Sequence, residues 1–146
     1  MSEKPDTPAE LKARALRYLV RREHSRAELE RKLAPHAGSP EALNAVVDLL
    51  LSKKQLSDER FAEERARSLS RKYGAAKIRQ DLKERGVAEE IVERVSADGD
   101  LERARVILSR KYRQPATARD ELAKRARFLQ SRGFSYEVIR SVLKVE

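Results

Sequence analysis

Apolar residues recur along this chain at the three- and four-residue spacing of one face of an α-helix, and the alternation typical of strands is absent. The apolar positions fall into three groups, each made of three short segments. The segments run over 11–20, 29–33 and 43–51, then 61–73, 75–82 and 87–95, then 101–112, 122–129 and 134–142. The pattern predicts an all-α protein built from three groups of three short helices.

Residues at the segment boundaries carry helix start and stop signals. Ser, Thr and Asp side chains accept hydrogen bonds from the free amides at a helix start, and a Glu three residues later can complete a capping box. Such starts are predicted at Ser25, Ser39, Thr117 and Ser135. Gly86 and Gly133 stand where the second helix of a group should end, in the left-handed conformation that glycine adopts without steric cost.

The second and third groups align with each other around these two glycines. Residues 82–92 and 129–139 share Leu, Arg, Gly, Glu and a closing apolar pair at a spacing of 47. Three divergent copies of a three-helix unit predict three tandem repeats in an elongated, curved array, with one compact helical bundle as the alternative. The predicted organisation is a mobile N-terminal tail over 1–10 and repeats over 11–57, 58–99 and 100–146.

Composition limits the core and indicates the type of partner. Of 146 residues, 34 are Leu, Ile, Val or Phe, which implies a thin core. Charged residues make up 39%, and the net charge of +9 favours anionic partners such as nucleic acid or an acidic protein surface. The absence of cysteine excludes disulfides and thiolate chemistry, and the chain shows neither a signal peptide nor a membrane-spanning segment. We expect a soluble, cytoplasmic protein.

The excess of positive charge is confined to two stretches, each covering the first two helices of a repeat. Residues 60–86 carry a net charge of +5 and residues 103–132 a net charge of +8, whereas residues 87–102 carry −5. Like charges one turn apart destabilise a helix, so their repetition predicts contacts with phosphates or carboxylates. The alternative for any one residue is a solvated face. The contact candidates are Arg67, Arg71, Lys72, Arg79, Lys83, Arg103, Arg110, Lys111, Arg127 and Arg132.

Catalytic and metal-binding patterns are missing from the sequence. His24 and His36 have no metal-ligand pattern near them and are predicted to lie at the surface, and the five glycines form no phosphate-binding loop. We expect no enzymatic activity, no cofactor and no metal. Tyr73 and Tyr112 each follow an Arg-Lys pair and occupy positions on the apolar stripe, which favours a place in the core over a role as stacking platforms.

The sequence resembles the RecX family, regulators of the RecA recombinase, across residues 11 to 145. The similar segments are ALRYLVRREHSRAELERKL at 15–33, LSDERFA at 56–62 and RFLQSRGFSYEVI at 127–139, together with Tyr73-Gly74, Ile78, Leu82 and Gly86-Val87. The order and spacing of these segments carry the resemblance. The stretch from Pro35 to Pro40 and the arginine-rich second helix of the third repeat depart from the family pattern.

The resemblance implies a cytoplasmic, non-enzymatic modulator that lies in the groove of the RecA–DNA filament. Such a protein would inhibit the ATPase, strand-exchange and coprotease activities of RecA, and would thereby modulate recombinational repair and the SOS response. The expected partners are the RecA filament and single- or double-stranded DNA without sequence specificity, and no dimerisation segment is evident. The rival hypothesis is a sequence-independent DNA-binding helical protein that acts without RecA. A small enzyme has the least support.

Overall fold

The computed structural model describes residues 4–144, and every regular element in that range is helical. The described residues contain nine α-helices in three successive groups of three, which confirms the predicted all-α fold. The first group is α1 (Pro8–Arg21), α2 (Arg26–Leu33) and α3 (Pro40–Ser52), with a 3-10 turn at Ala34–His36. The second is α4 (Asp58–Leu69), α5 (Ala75–Glu84) and α6 (Glu89–Val92). The third is α7 (Asp100–Lys111), α8 (Arg119–Ser131) and α9 (Tyr136–Leu143).

Three of the four predicted helix starts are confirmed by their hydrogen bonds. Ser25 forms a full capping box with Glu28 at the start of α2. The side chains of Ser39 and Ser135 accept from the backbone amides three residues later, at the starts of α3 and α9. The start predicted at Thr117 is wrong, because α8 begins one residue too late for that side chain and its N-cap residue is an alanine, which offers no acceptor.

Helix α1 begins within the stretch that the sequence assigned to an N-terminal tail. Thr7 and Glu10 form a capping box, so residues 8–10 are helical. Asp6 pairs with Arg14 at 2.8 Å. The mobility of residues 1–10 stays a prediction, and Met1–Glu3 lie outside the described residues.

Contacts divide the chain into two compact units. The first unit comprises residues up to 64 together with 83–91. Its apolar core is formed where α1, α2 and α3 pack against one another, and the loop before α4 adds one leucine. The buried residues are Leu11, Ala15, Leu29, Leu33, Val46, Val47, Leu50 and Leu56.

The second unit comprises residues 65–82 together with those from 92 onward. Here α9 packs against both α7 and α8. The buried apolar residues of this core are Ala104, Ile107, Leu129, Phe134 and Ile139. The second repeat thus contributes segments to both units.

Gly86 and Gly133 adopt the predicted left-handed conformation, with φ of +80° and +88°. Each glycine also allows a close approach within its own unit. A Cβ at Gly86 would overlap the Cβ of Ala27 at the start of α2, and one at Gly133 would lie 2.6 Å from the backbone nitrogen of Lys77 in α5. Any other residue at these positions is therefore both strained and crowded.

Candidate anion-binding surface

The candidate residues are Arg and Lys side chains that belong, with one exception, to the second unit. Among residues 4–144, no cluster of histidine, aspartate and glutamate could hold a metal ion. In the same part of the chain, no helix combines the length and the apolar character that crossing a bilayer needs.

Arg67, Arg71 and Lys72 lie at the end of α4 and in the turn that follows it. All three side chains are exposed, and none forms an ion pair within the described residues. The backbone turns back just after them, and the amide of Gly74 donates a 2.8 Å hydrogen bond to the carbonyl of Arg132. The end of α4 and the turn after it therefore carry three uncompensated cations, and the turn is fixed close to the end of α8.

In the second unit, the rings of Phe128 and Tyr73 bring cations from separate segments close to one another. The Nζ of Lys111 lies 4.5 Å from the centre of the Phe128 ring, and the Arg132 guanidinium lies 5.0 Å from the same ring. Arg132 is also 5.4 Å from the ring of Tyr73 and donates to the carbonyl of Lys72 at 3.3 Å. Cation–π contacts of this kind hold the charges in place without neutralising them.

Two of the predicted contact residues are bound within the fold instead. The Nε and Nη2 of Arg79 donate to the carbonyl of Val95 at 3.0 and 2.6 Å. Arg103 pairs with the buried carboxylate of Asp100, which in turn accepts from the amide of Ala75 at the start of α5. These two arginines position the chain, and their guanidinium groups already have acceptors within the fold.

Lys83, the exception that lies in the first unit, pairs with Glu89 at 3.6 Å. Both side chains are mostly exposed, so the pair is weak. The predicted contact residues that are exposed and form no ion pair in the described part of the chain are Arg67, Arg71, Lys72, Arg110, Lys111 and Arg127.

Sequence reasoning missed a further group around Tyr112, at the end of α7. The Arg125 guanidinium lies 4.5 Å from the centre of the Tyr112 ring, and its Nη2 donates to the carbonyl of Gln114 at 2.7 Å. Neither Tyr112 nor Tyr73 is fully buried, and an arginine lies over each ring. The prediction of core tyrosines is therefore wrong in part, and the repeated Arg-Lys-Tyr triplet was the signal that could have marked this region.

His24 is buried, with 1% of its surface exposed, so its predicted place at the surface is wrong. Its Nδ1 lies 3.0 Å from the carbonyl of Arg22, and its Nε2 lies 2.8 Å from the Nζ of Lys32. A carbonyl can only accept and an ammonium can only donate, so the ring is neutral with its proton on Nδ1. Burial, more than any charge nearby, lowers the pKa of His24 below its usual 6.5.

Glu28 forms another buried polar contact of the first unit. Its carboxylate accepts from Arg22 at 3.1 Å, from Arg85 at 2.7 Å and from the amide of Ser25 at 3.2 Å. Burial alone would raise the pKa of this carboxyl, but the donors outweigh it and lower the pKa to about 2. Glu28 thus stabilises the fold and is unsuited to acid–base chemistry near neutral pH.

Fold and surface together define an all-α protein of tandem three-helix domains that presents uncompensated cations to solvent. The chain matches the first three-helix domain of RecX over residues 12–50, the second over 57–95 and the third over 98–143. The chain belongs to the RecX family.

Relatives and solved structures agree with this assignment. A Regulatory protein RecX from Leptothrix cholodnii is 45% identical over 138 residues, covering 92% of this chain and 88% of the relative. One of the same name from Ralstonia nicotianae is 41% identical, covering 96% and 90%. A crystal structure of RecX from Lactobacillus salivarius superposes with a TM-score of 0.81 at 21% identity, covering 94% of each chain, and so supports the fold.

Proposed function

We propose that the protein binds in the groove of the filament that RecA forms on DNA and inhibits the ATPase, recombinase and coprotease activities of RecA. It would thereby modulate recombinational repair and the SOS response. In this proposal the protein acts in the cytoplasm as a monomer without catalytic activity of its own. Membership of the RecX family and the regulatory name of its relatives support the proposal.

The observation that carries the proposal is the set of uncompensated cations on the second unit. Side chains such as Arg71, Arg110 and Arg127 are exposed and have no acidic partner among residues 4–144. An anionic partner gains attraction from each of them and releases bound counterions in return. A groove lined by DNA phosphates and acidic protein side chains offers such a partner.

The geometry favours contacts with phosphates and carboxylates over contacts with bases. An arginine lies over the Tyr73 ring at 5.4 Å and another over the Tyr112 ring at 4.5 Å, so each ring has one face covered. The exposed candidates are Arg and Lys, whose charges attract the phosphates of a strand of any sequence. Binding without sequence specificity follows.

The test is a comparison of three targets for a fluorescently labelled sample of the full chain. The targets are RecA alone, single-stranded DNA alone, and RecA assembled on that DNA with a non-hydrolysable ATP analogue. We expect binding to the filament to be tighter than binding to either component by about tenfold or more, which is roughly 1.4 kcal/mol. Equal affinity for bare DNA and for the filament would favour a DNA-binding protein that acts without RecA.

A further inference from the structure

A cavity of about 300 Å³ opens on the second unit. One wall is a single face of α7, because Arg105, Leu108, Ser109 and Tyr112 follow one another at helical spacing. The rest of the lining is Arg113, Gln114, Pro115, Arg125 and Val142.

Among the described residues that line the cavity, three are arginines and none is an acid. Arg113 is exposed and has no ion pair among residues 4–144. Within the described part of the chain, Arg105 has only a 3.7 Å ion pair with Glu102, and both of these side chains are more than half exposed. Three guanidinium groups around one cavity repel one another, and an anion between them would convert that repulsion into attraction.

Arg125 is already held in place for such a contact. Its guanidinium lies over the Tyr112 ring at 4.5 Å, and its Nη2 donates to the carbonyl of Gln114 at 2.7 Å. Its Nε is buried and has no acceptor among the described residues. A fixed guanidinium loses little further conformational entropy when an anion binds. The entropic cost of binding an anion at Arg125 is therefore small.

The apolar part of the cavity lining indicates that the ligand is more than a bare anion. Leu108, Pro115 and Val142 supply apolar surface. The volume lies at the lower end of the range for pockets that hold small organic molecules. These three apolar side chains have no hydrogen-bonding groups with which to distinguish one base from another.

We propose that this cavity binds one nucleotide unit of a DNA strand, with the phosphate on Arg105, Arg113 and Arg125 and the sugar or base against Leu108, Pro115 and Val142. The inference rests on the proposed function in taking DNA as part of the target. It adds a defined subsite in the third repeat, and none of the described residues that line it belongs to the predicted contact set. The apolar part of the subsite does not distinguish one base from another.

The direct test is nuclear magnetic resonance on the full chain labelled with nitrogen-15. The probes are an eight-residue thymidine oligonucleotide, inorganic phosphate and an octaglutamate peptide. We expect the oligonucleotide to shift the amide signals of Ser109, Gln114 and Val142, and phosphate to shift the same signals at higher concentration. Oligonucleotide-induced shifts that leave these three signals unchanged would overturn the proposal. Shifts at the cavity with octaglutamate but not with the oligonucleotide would also overturn it, in favour of an acidic protein ligand.

A matched pair of double variants separates the contribution of the cavity to DNA binding from that of net charge. Arg105→Gln with Arg113→Gln removes two cavity cations, and Arg119→Gln with Lys124→Gln removes two exposed cations of α8 that do not line it. We expect the cavity variant to bind the oligonucleotide about tenfold more weakly, and its log–log salt slope to fall by about 1 to 2. Equal reductions in the two variants would mean that only net charge matters, which contradicts a subsite.

Measuring the affinity for the RecA filament as well distinguishes failure of the cavity subsite from failure of the proposed function. If the cavity variant binds the oligonucleotide as tightly as the wild type while the wild type still binds the RecA filament, the subsite is wrong and the proposed function stands. If the oligonucleotide occupies the cavity but the protein shows no preference for the filament, the subsite stands and the proposed function is wrong.

Discussion

The hydroxyl of Ser25 donates a 2.7 Å hydrogen bond to the backbone carbonyl of Arg85, sixty residues further along the chain. The second unit contains a counterpart, in which the amide of Gly74 donates to the carbonyl of Arg132 at 2.8 Å. In each unit, this hydrogen bond joins two successive repeats. The acceptor is a carbonyl in the turn after the second helix of the later repeat, and the donor lies at the start of the second helix of the repeat before it. The repeated Arg-Gly pairs, 47 residues apart, therefore have a common structural cause.

Replacing Gly86 with alanine should destabilise the protein. The position combines a φ of +80° with a Cβ that would overlap the side chain of Ala27, so strain and crowding add. We expect the free energy of unfolding to fall by about 2 to 4 kcal/mol, measured by urea denaturation. Gly38→Ala is the control, because its Cβ would meet only Pro5 at 3.4 Å and its φ is not in the left-handed region. Equal destabilisation at the two sites would contradict this role for the turn.

Replacing Glu28 with glutamine should also destabilise the fold, by about 2 kcal/mol at pH 7. Arg22 and Arg85 would then have no carboxylate at the position where both now donate to one. Glu63→Gln, on the exposed face of α4, is the matched control and should change stability by less than about 0.5 kcal/mol. Similar stabilities of the two variants would contradict a structural role for Glu28.

The same carboxylate predicts an acid dependence. The folded-state pKa of about 2 lies below the ordinary value of 4.5, so the stabilisation is complete above about pH 4.5 and disappears as the pH falls towards 2. Unfolding free energies across that range should fall more steeply for the wild type than for Glu28→Gln. Parallel curves would contradict the assignment.

His24 predicts a second pH dependence at milder acidity. Because burial lowers its pKa, the unfolded chain binds a proton below about pH 6.5 while the folded chain resists it. Stability should therefore decrease as the pH falls below 6.5. In a His24→Phe variant, the slope of unfolding free energy between pH 5 and 6.5 should be smaller, whatever its absolute stability. Equal slopes in the variant and the wild type would mean that another group causes the dependence.

The uncompensated cations predict that filament binding depends on salt. Alanine at Arg67, Arg71, Arg110 and Arg127 should weaken binding, and should lower the log–log salt slope by about 1 for each phosphate that is no longer neutralised. Circular dichroism should show unchanged helicity, because all four side chains are exposed. The control removes four exposed cations of the first unit, Arg17, Arg21, Arg31 and Lys53. A larger effect from the control set would assign the binding surface to the first repeat.

Local sequence signals predicted local structure well. The capping box at Ser25 and the left-handed Gly86 and Gly133 depend on a few neighbouring residues, and the structure confirms them. The prediction at Thr117 was wrong because a shift of one residue removes a side chain from capping distance. Periodicity determines which face of a helix is apolar, but it leaves the first residue of a helix uncertain.

Contacts between distant segments could not be predicted in this way. Arg79 lies beside an apolar stripe in the sequence, but nothing local indicates that the carbonyl of Val95 lies 2.6 Å from it. His24 offers no local sign that its ring is enclosed between the Arg22 carbonyl and Lys32. The cavity near Tyr112 likewise needs residues from α7, α8, α9 and the loop after α7. The net charge of each segment identified the cationic stretches from the sequence. The packing of the helices determines which of their Arg and Lys side chains stay exposed.

The most direct test of the proposed function is the DNA-dependent ATPase rate of RecA, measured with increasing amounts of the full chain. We predict suppression at substoichiometric or near-stoichiometric amounts, and no ATP hydrolysis by the chain alone. The alanine variant at Arg67, Arg71, Arg110 and Arg127 should need more protein for the same suppression. An unchanged RecA rate at saturating amounts, together with tight binding to bare DNA, would contradict the proposed function.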